Sequence, residues 1–214
     1  TVQQGAYTVD NPDLEITIIQ DRAKSACRNR AAQQDGVCIF YDAAFTQQMQ
    51  KEHDLNELFD AALTNGEFQV YLQPKVWIEG GRLAGAEALI RWNNPQRGMI
   101  YPSDFVPVFE KNGKICKLDL FVFEQVCRSL HQWIESGKKP FPISVNLSRQ
   151  HFSDKDFLLK FKAIADRYEI PAGLLELELT ESIFLEDQGI EFVKHKIDEM
   201  HHFGFGCSLD DFGA

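Results

Sequence analysis

The sequence predicts an α/β fold of consecutive strand–helix units, on three observations. Polar residues close strand-like apolar runs at Asn146 in FPISVNLS, at Glu178 in LLELELTES and at Asp210, with Asp211, in GCSLDDFG. The intervals are equal, 178 − 146 = 32 and 210 − 178 = 32, and a strand with its crossover helix takes roughly 30 residues. Each polar residue then falls at the same place in its unit, the C-terminal mouth of the strand. In (β/α) barrels, catalytic groups converge at that mouth.

Residues 6–9 have strand character, Asp10-Asn11-Pro12-Asp13 reads as a turn, and 16–30 as a helix with Ile16, Ile19, Ala23 and Ala26 in register. A second strand is expected at 37–41. Residues 46–66 read as an amphipathic helix with Leu55, Leu58, Phe59 and Leu63 on one side, ended by Asn65-Gly66. Strands at 68–74 and 82–91, joined through Glu79-Gly80-Gly81, make a hairpin. A loop containing Pro95 and Gly98 leads to helices at 103–111 and 117–135. Then come strand 141–147, helix 154–168, strand 174–180, helix 188–203 and strand 206–211. Ser103 and Ser153 are the expected N-caps, and Gly204 the expected helix-ending glycine. That makes five strands from residue 68 onward, where a closed barrel of the triosephosphate isomerase type needs eight.

Composition excludes rather than assigns. The 214 residues are 44% hydrophobic and 25% charged, ordinary for a globular protein. No apolar run reaches the length of a membrane span, and the first residues do not read as a signal peptide. Five scattered cysteines without a CxxC pair suit reduced, buried thiols in a cytoplasmic protein. A net charge of −10 disfavours binding to a nucleic-acid polymer.

Oxygen donors at strand mouths, with no His or Cys among them, suit a hard cation such as Mg²⁺ or Mn²⁺. Upstream, RLAGAEALIRW holds Glu87 and Arg91 four residues apart, so both point to one face of a strand. A carboxylate for metal and a guanidinium for phosphate is a chemically sensible pairing. Each residue also has an ordinary role to weigh. Glu87 and Arg91 could form a surface pair, Asn146 a helix cap or turn, Glu178 a half-solvated strand position, and Asp210-Asp211 a turn. His195, His201 and His202 share a helix without acidic or Cys partners in register, which fits a solvated face better than zinc. Lys138-Lys139 reads as a solvated loop.

Six motifs in order, YLQPK from Tyr71, EALIRW from Glu87, PSDFVP from Pro102, SVNLS from Ser144, ELTES from Glu178 and DDFG from Asp210, resemble the EAL domain family. The resemblance implies a TIM-like (β/α) barrel of the EAL type that hydrolyses cyclic di-GMP to linear pGpG with two divalent cations. It implies metal binding by Glu87, Asn146, Glu178, Asp210 and Asp211, with Glu87, Asp210 and Asp211 serving catalysis. It implies substrate contacts at Gln73, Leu89 and Arg91, and a loop-anchoring role for Glu181. Residues 1–45 resemble the closing segment of a GGDEF domain without its cyclase signature, 46–66 a linker helix, and 67–214 the first part of an EAL domain. In complete members three more βα units follow DDFG and supply a lysine, a glutamate and a glutamine. The expectation is therefore a truncated domain, inactive by itself and prone to self-association. A non-catalytic cyclic di-GMP receptor is the alternative.

Overall fold

A computed structural model of the chain describes residues 4–27, 38–180 and 190–210. It divides into two compact units, Thr1–Leu58 and Phe59–Ala214.

In the first unit, strand β1 (Gln4–Ala6) pairs in parallel with β2 (Cys38–Phe40), and helix α1 (Ile16–Cys27) lies between them in sequence. The Arg22 guanidinium stacks over the rings of Tyr7 and Tyr41, 4.8 and 5.5 Å from their centroids. The strand expected at 6–9 is shifted toward the N-terminus. Its ladder runs out at Ala6, opposite Phe40, and the Tyr7 hydroxyl turns instead to Asp10 at 2.5 Å. Helix α2 (Ala43–Thr64) covers most of the helix expected over 46–66 and runs across the division between the units.

The second unit is built on one sheet. Among the described residues its strands are β3 (Phe68–Val76), β4 (Leu83–Asn94), β5 (Gly98–Ile100), β6 (Ile143–Asn146), β7 (Leu175–Thr180) and β8 (Gly206–Asp210). The order is β3-β4-β6-β7-β8, with β5 paired to β4. The pairs β4–β6, β6–β7 and β7–β8 are parallel, while β3 runs antiparallel to β4. Each crossover advances the sheet by one neighbour, which is how the wall of a (β/α) barrel is wound. Pro74 is tolerated inside β3 because β3 is an edge strand, whose outer amides need no ladder partner.

Helices α3 (Pro102–Asn112), α4 (Lys114–Glu135), α5 (Phe157–Arg167) and α6 (Ile190–His202) make the crossovers. The buried set of α4, Ile115, Leu118, Val122, Phe123, Val126, Cys127 and Leu130, recurs at three- and four-residue steps and forms one apolar stripe. Its Val122, Phe123, Val126, Cys127 and Leu130 join one core with Ile143, Val145, Leu175, Leu177 and Leu179 of the sheet, together with Phe157, Phe161 and Phe205. A second packing centre joins Phe59, Phe68, Trp92, Phe105 and Phe109, with ring centroids 4.6 to 6.0 Å apart along its contacts. Such aromatic pairs add about 0.5–1.5 kcal/mol each beyond their buried area.

Two expected caps do not form. Helix α3 begins one residue earlier than Ser103, with Tyr101 at the N-cap and Pro102 in the first turn, because proline's fixed φ and missing N–H suit that position. Ser153 lies in a short 3-10 helix (Arg149–Ser153) and donates to Gln150 O at 2.8 Å, so α5 starts only at Phe157. Gly204 does end α6, at φ 84°. A Cβ there would lie 2.8 Å from that of Ala172, which leaves no room for another residue. The short strand β5 was not expected at all. His195, His201, His202, Lys138 and Lys139 are exposed.

Candidate active site

Alternation along β7 separates the two faces of the sheet. Leu175, Leu177 and Leu179 are buried toward the helices, so Glu176, Glu178 and Thr180 point to the other side. Parallel strands covered on both faces normally read as continuous apolar runs. The acids at alternate positions thus lie on a polar face, which is open at Gln73 and Asn146 and closed over Glu178. Glu178 is 5% exposed, so it is not on an exposed edge.

Register aligns the neighbours. Glu87 lies opposite Ser144, Ser144 opposite Glu176, and Glu176 opposite Gly206. One repeat further toward the mouth, Asn146 lies opposite Glu178 and Glu178 opposite Ser208. Asn146 and Glu178 thus share one face and one height. Glu87 stands a repeat lower but reaches up, accepting a hydrogen bond from Asn146 Nδ2 at 3.0 Å. On the antiparallel side Gln73 pairs with Glu87, Tyr71 with Leu89 and Gln69 with Arg91. Gln73, Glu87, Leu89 and Arg91 therefore face the same way.

Asp210 departs from the expectation. Its partner is Thr180 rather than Glu178, so it stands one repeat, about 6.6 Å, beyond the level of Asn146 and Glu178. Equal spacing in sequence does not give equal height, because β8 enters the ladder at Gly206 opposite Glu176. Among the described residues no three of His, Cys, Asp and Glu come together as a metal-holding group. Asp211 and Glu181 lie outside the described residues.

Sequence reasoning missed three features. The first is Lys75, two residues past Gln73 and hence on its face, whose Nζ contacts Glu178 Oε1. Burial opposes its charge, but the hydrogen bond and charge of Glu178, with Glu176 and Glu87 beyond, hold its ammonium above the ordinary lysine range. The alternation from Gln73 was the available signal. The second is the other Glu178 oxygen, Oε2, which is buried and has no hydrogen-bond partner among the described residues, as is the case for Ser208 Oγ.

The third is a buried pair behind the strand mouth. Asp119 Oδ2 accepts from Ser148 N at 3.0 Å and contacts His151 Nε2 at 3.1 Å. Burial opposes charge on His151, but hydrogen bonds to Asp119 and Cys116 outweigh it and push the imidazole up to about 9. The Asp119 carboxyl thus ties both Ser148 and His151, in the loop that follows Asn146, to α4, while burial pushes that carboxyl above the usual carboxylate range. Gln150 Nε2 ties the same loop to the Glu110 carbonyl.

A cavity of about 840 Å³ opens beside these groups, lined by Leu89, Arg91, Glu110, Asn146, Ser148 and Arg149 among others. Its volume is that of a ligand site. All five cysteines are free, but only Cys127 is buried as expected; Cys27, Cys116 and Cys207 are half-buried and Cys38 is exposed. Burial pushes Cys127 up to about 12 and Cys207 up to about 11, so neither supplies a thiolate nucleophile near neutral pH. Among the described residues no helix is long and apolar enough to cross a membrane.

The comparisons with known proteins agree with this architecture. The chain is 32% identical over 203 residues to MucR of Pseudomonas aeruginosa, named a bifunctional diguanylate cyclase/cyclic di-GMP phosphodiesterase, covering 94% of this chain and 28% of that protein. It is 33% identical over 175 residues to a second protein of that organism named a cyclic di-GMP phosphodiesterase, covering 81% of this chain and 29% of the relative. The solved structure described as the PaMucR phosphodiesterase, c-di-GMP complex, superposes with a TM-score of 0.69 at 32% identity, covering 75% of this chain and 64% of the other. The chain thus spans less than a third of these two relatives' length. The EAL domain profile matches residues 55–214. The fold is the TIM-like barrel type of that family, and the chain belongs to the EAL domain family.

Proposed function

We propose that this chain holds substrate-binding and metal-binding residues of a cyclic di-GMP phosphodiesterase, which hydrolyses the messenger to linear pGpG in the cytoplasm during bacterial signalling. The observation that carries this reading is the meeting of Glu87, Asn146 and Glu178 on one polar sheet face, beside a cavity lined by Arg91.

The donor set fits Mg²⁺ or Mn²⁺. It is all oxygen, and among the described residues Glu178 Oε2 is a buried acceptor still without a partner. By the motif resemblance Glu87, Asn146, Glu178 and Asp210 would hold one cation, and Asp210 or Asp211 would help to hold a second. When bound, such cations lower the pKa of an attacking water and stabilise the entering and leaving oxygens. The chain's own residues do the rest. Asn146 fixes the Glu87 carboxylate by hydrogen bonding. Arg91 offers a bidentate fork to a phosphate, and Gln73 and Leu89 border the substrate on the same face. By the motif resemblance Glu181, outside the described residues, would serve as the anchor of a loop beside the metal site. We also place residues 1–45 as the end of a GGDEF-like domain, 46–66 as a linker, and 67–214 as the first part of the EAL domain, following the motif resemblance.

One observation favours a second reading, a non-catalytic receptor for cyclic di-GMP. Glu87, Glu178 and Asp210 do not assemble as an acidic trio among the described residues. Calorimetric titration of cyclic di-GMP into the complete EAL domain that carries these residues, in the presence of Mn²⁺ and with chromatographic detection of pGpG, separates the two. Binding with pGpG release supports the enzyme, and binding without it supports the receptor. No binding would remove both.

A further inference from the structure

Lys75 and Glu178 are 103 residues apart, and their side chains meet inside the sheet's polar face. The Glu178 side chain is 6% exposed and that of Lys75 40% exposed. The two ends of the pair therefore differ in their freedom. Glu178 is packed in place, whereas the ammonium rides on a flexible four-carbon stem with a route to solvent. The pairing satisfies only one carboxylate oxygen. Among the described residues Glu178 Oε2 is buried without a hydrogen-bond partner, and a buried acceptor of that kind is stabilised by a further donor or cation. Glu87 and Glu176 lie close enough for their charges to act on the same ammonium. Of these carboxylates the ammonium touches only that of Glu178.

We propose that Lys75 is an internal stand-in cation, which neutralises Glu178 while no divalent ion is bound and gives up that contact when one arrives. Metal loading is then an exchange of Lys75 for the ion. A protonated lysine donates hydrogen bonds but offers no lone pair to a metal. An ammonium left on Oε1 while a dication sits on Oε2 would face like-charge repulsion within one carboxylate. Lys75 is in this sense a positioning residue, acting through Glu178, and the inference rests on the metal-binding reading of Glu178.

Titration of the full chain with MnCl2, followed by calorimetry, tests it without an activity assay. Lys75→Met should bind Mn²⁺ about tenfold more tightly than wild type, while Lys75→Arg, which keeps the charge, should stay near wild type. Without metal Lys75→Met should melt below wild type, and Mn²⁺ should raise its melting temperature by more. A measurement on unmutated protein guards against a variant that fails to fold. In a chain with 13C-labelled lysine, the Lys75 Cε resonance should move toward the solvent-averaged position as Mg²⁺ is added. Equal or weaker Mn²⁺ affinity in Lys75→Met, or a Cε resonance unmoved by saturating Mg²⁺, would overturn the exchange alone. Absence of Mn²⁺ binding in all three proteins would overturn the metal reading and the exchange with it.

Discussion

Asn146 donates its side-chain amide to Glu87 Oε1 at 3.0 Å, across the seam between β4 and β6. Glu87 is level with Ser144 rather than with Asn146, so the bond runs diagonally and draws the lower carboxylate toward the strand mouth. The amide N–H spent on Glu87 leaves Asn146 Oδ1, an acceptor, for another ligand.

Glu87→Ala should therefore abolish cyclic di-GMP hydrolysis in the enzyme and weaken Mn²⁺ binding by about 10–100-fold, since it removes both a donor and the group Asn146 orients. Glu87→Gln keeps an acceptor for Asn146 but not the charge. It should lose turnover while its unfolding free energy stays within about 0.5 kcal/mol of wild type. Wild-type turnover by Glu87→Ala at saturating Mn²⁺ would refute the assignment.

Stability should fall as the pH rises from about 6.5 to 9. The folded His151 titrates near 9, above the ordinary 6.5, because Asp119 and Cys116 outweigh the effect of burial. Between those values the folded chain binds more protons than the unfolded one. The contribution is thus complete below the unfolded pKa and drains away as pH passes the folded one. Asp119→Ala should flatten this part of the urea-denaturation profile and cost about 3–5 kcal/mol at neutral pH, the usual effect of halving a buried pair. An unchanged pH profile would show that His151 is neutral in the fold.

Gly85→Ala should destabilise the chain by about 1–3 kcal/mol, the range for forcing extra atoms into a packed site. A Cβ at Gly85 would stand 2.7 Å from the Pro142 carbonyl oxygen. The same oxygen accepts the Ala86 N–H at 3.0 Å, so it cannot retreat without opening the seam that carries Glu87. Urea denaturation checks this, and a variant as stable as wild type would mean that the strands are free to move apart.

We expect the chain to self-associate. Among the described residues β3 and β8 end the strand order. Proline guards β3, whereas β8 offers Cys207, Ser208 and Leu209, the last 44% exposed. The one charge of β8, Asp210, lies at the end of the strand, and unpaired edges without proline and with little charge invite pairing with another chain. Sedimentation equilibrium over a wide concentration range should show association that Leu209→Lys weakens. A strictly monomeric wild type would count against it.

Much of this protein was legible in the chain itself. The leucine–glutamate alternation of LELELT separates a helix-packed face from a polar one, because strand side chains alternate with a period of two. The equal intervals of 32 residues from Asn146 to Glu178 and on to Asp210 announce repeated strand–helix units, each with its polar residue near the strand mouth. Ordered motifs from Tyr71 to Gly213 named the family. Cap positions were less legible, since Pro102 and the short 3-10 helix displaced the helix starts that the two serines suggested.

Tertiary structure alone decided the heights and the long-range pairs. Sequence periodicity fixes which face a residue occupies, but its level relative to the next strand depends on how the crossover helix packs before the ladder begins. That is why Asp210 lines up with Thr180 while Asn146 lines up with Glu178. The contacts of Lys75 with Glu178 and of Asp119 with His151 depend on the same packing. No local pattern encodes them, because residues 103 and 32 positions apart become neighbours only when separate strands and helices close around one core.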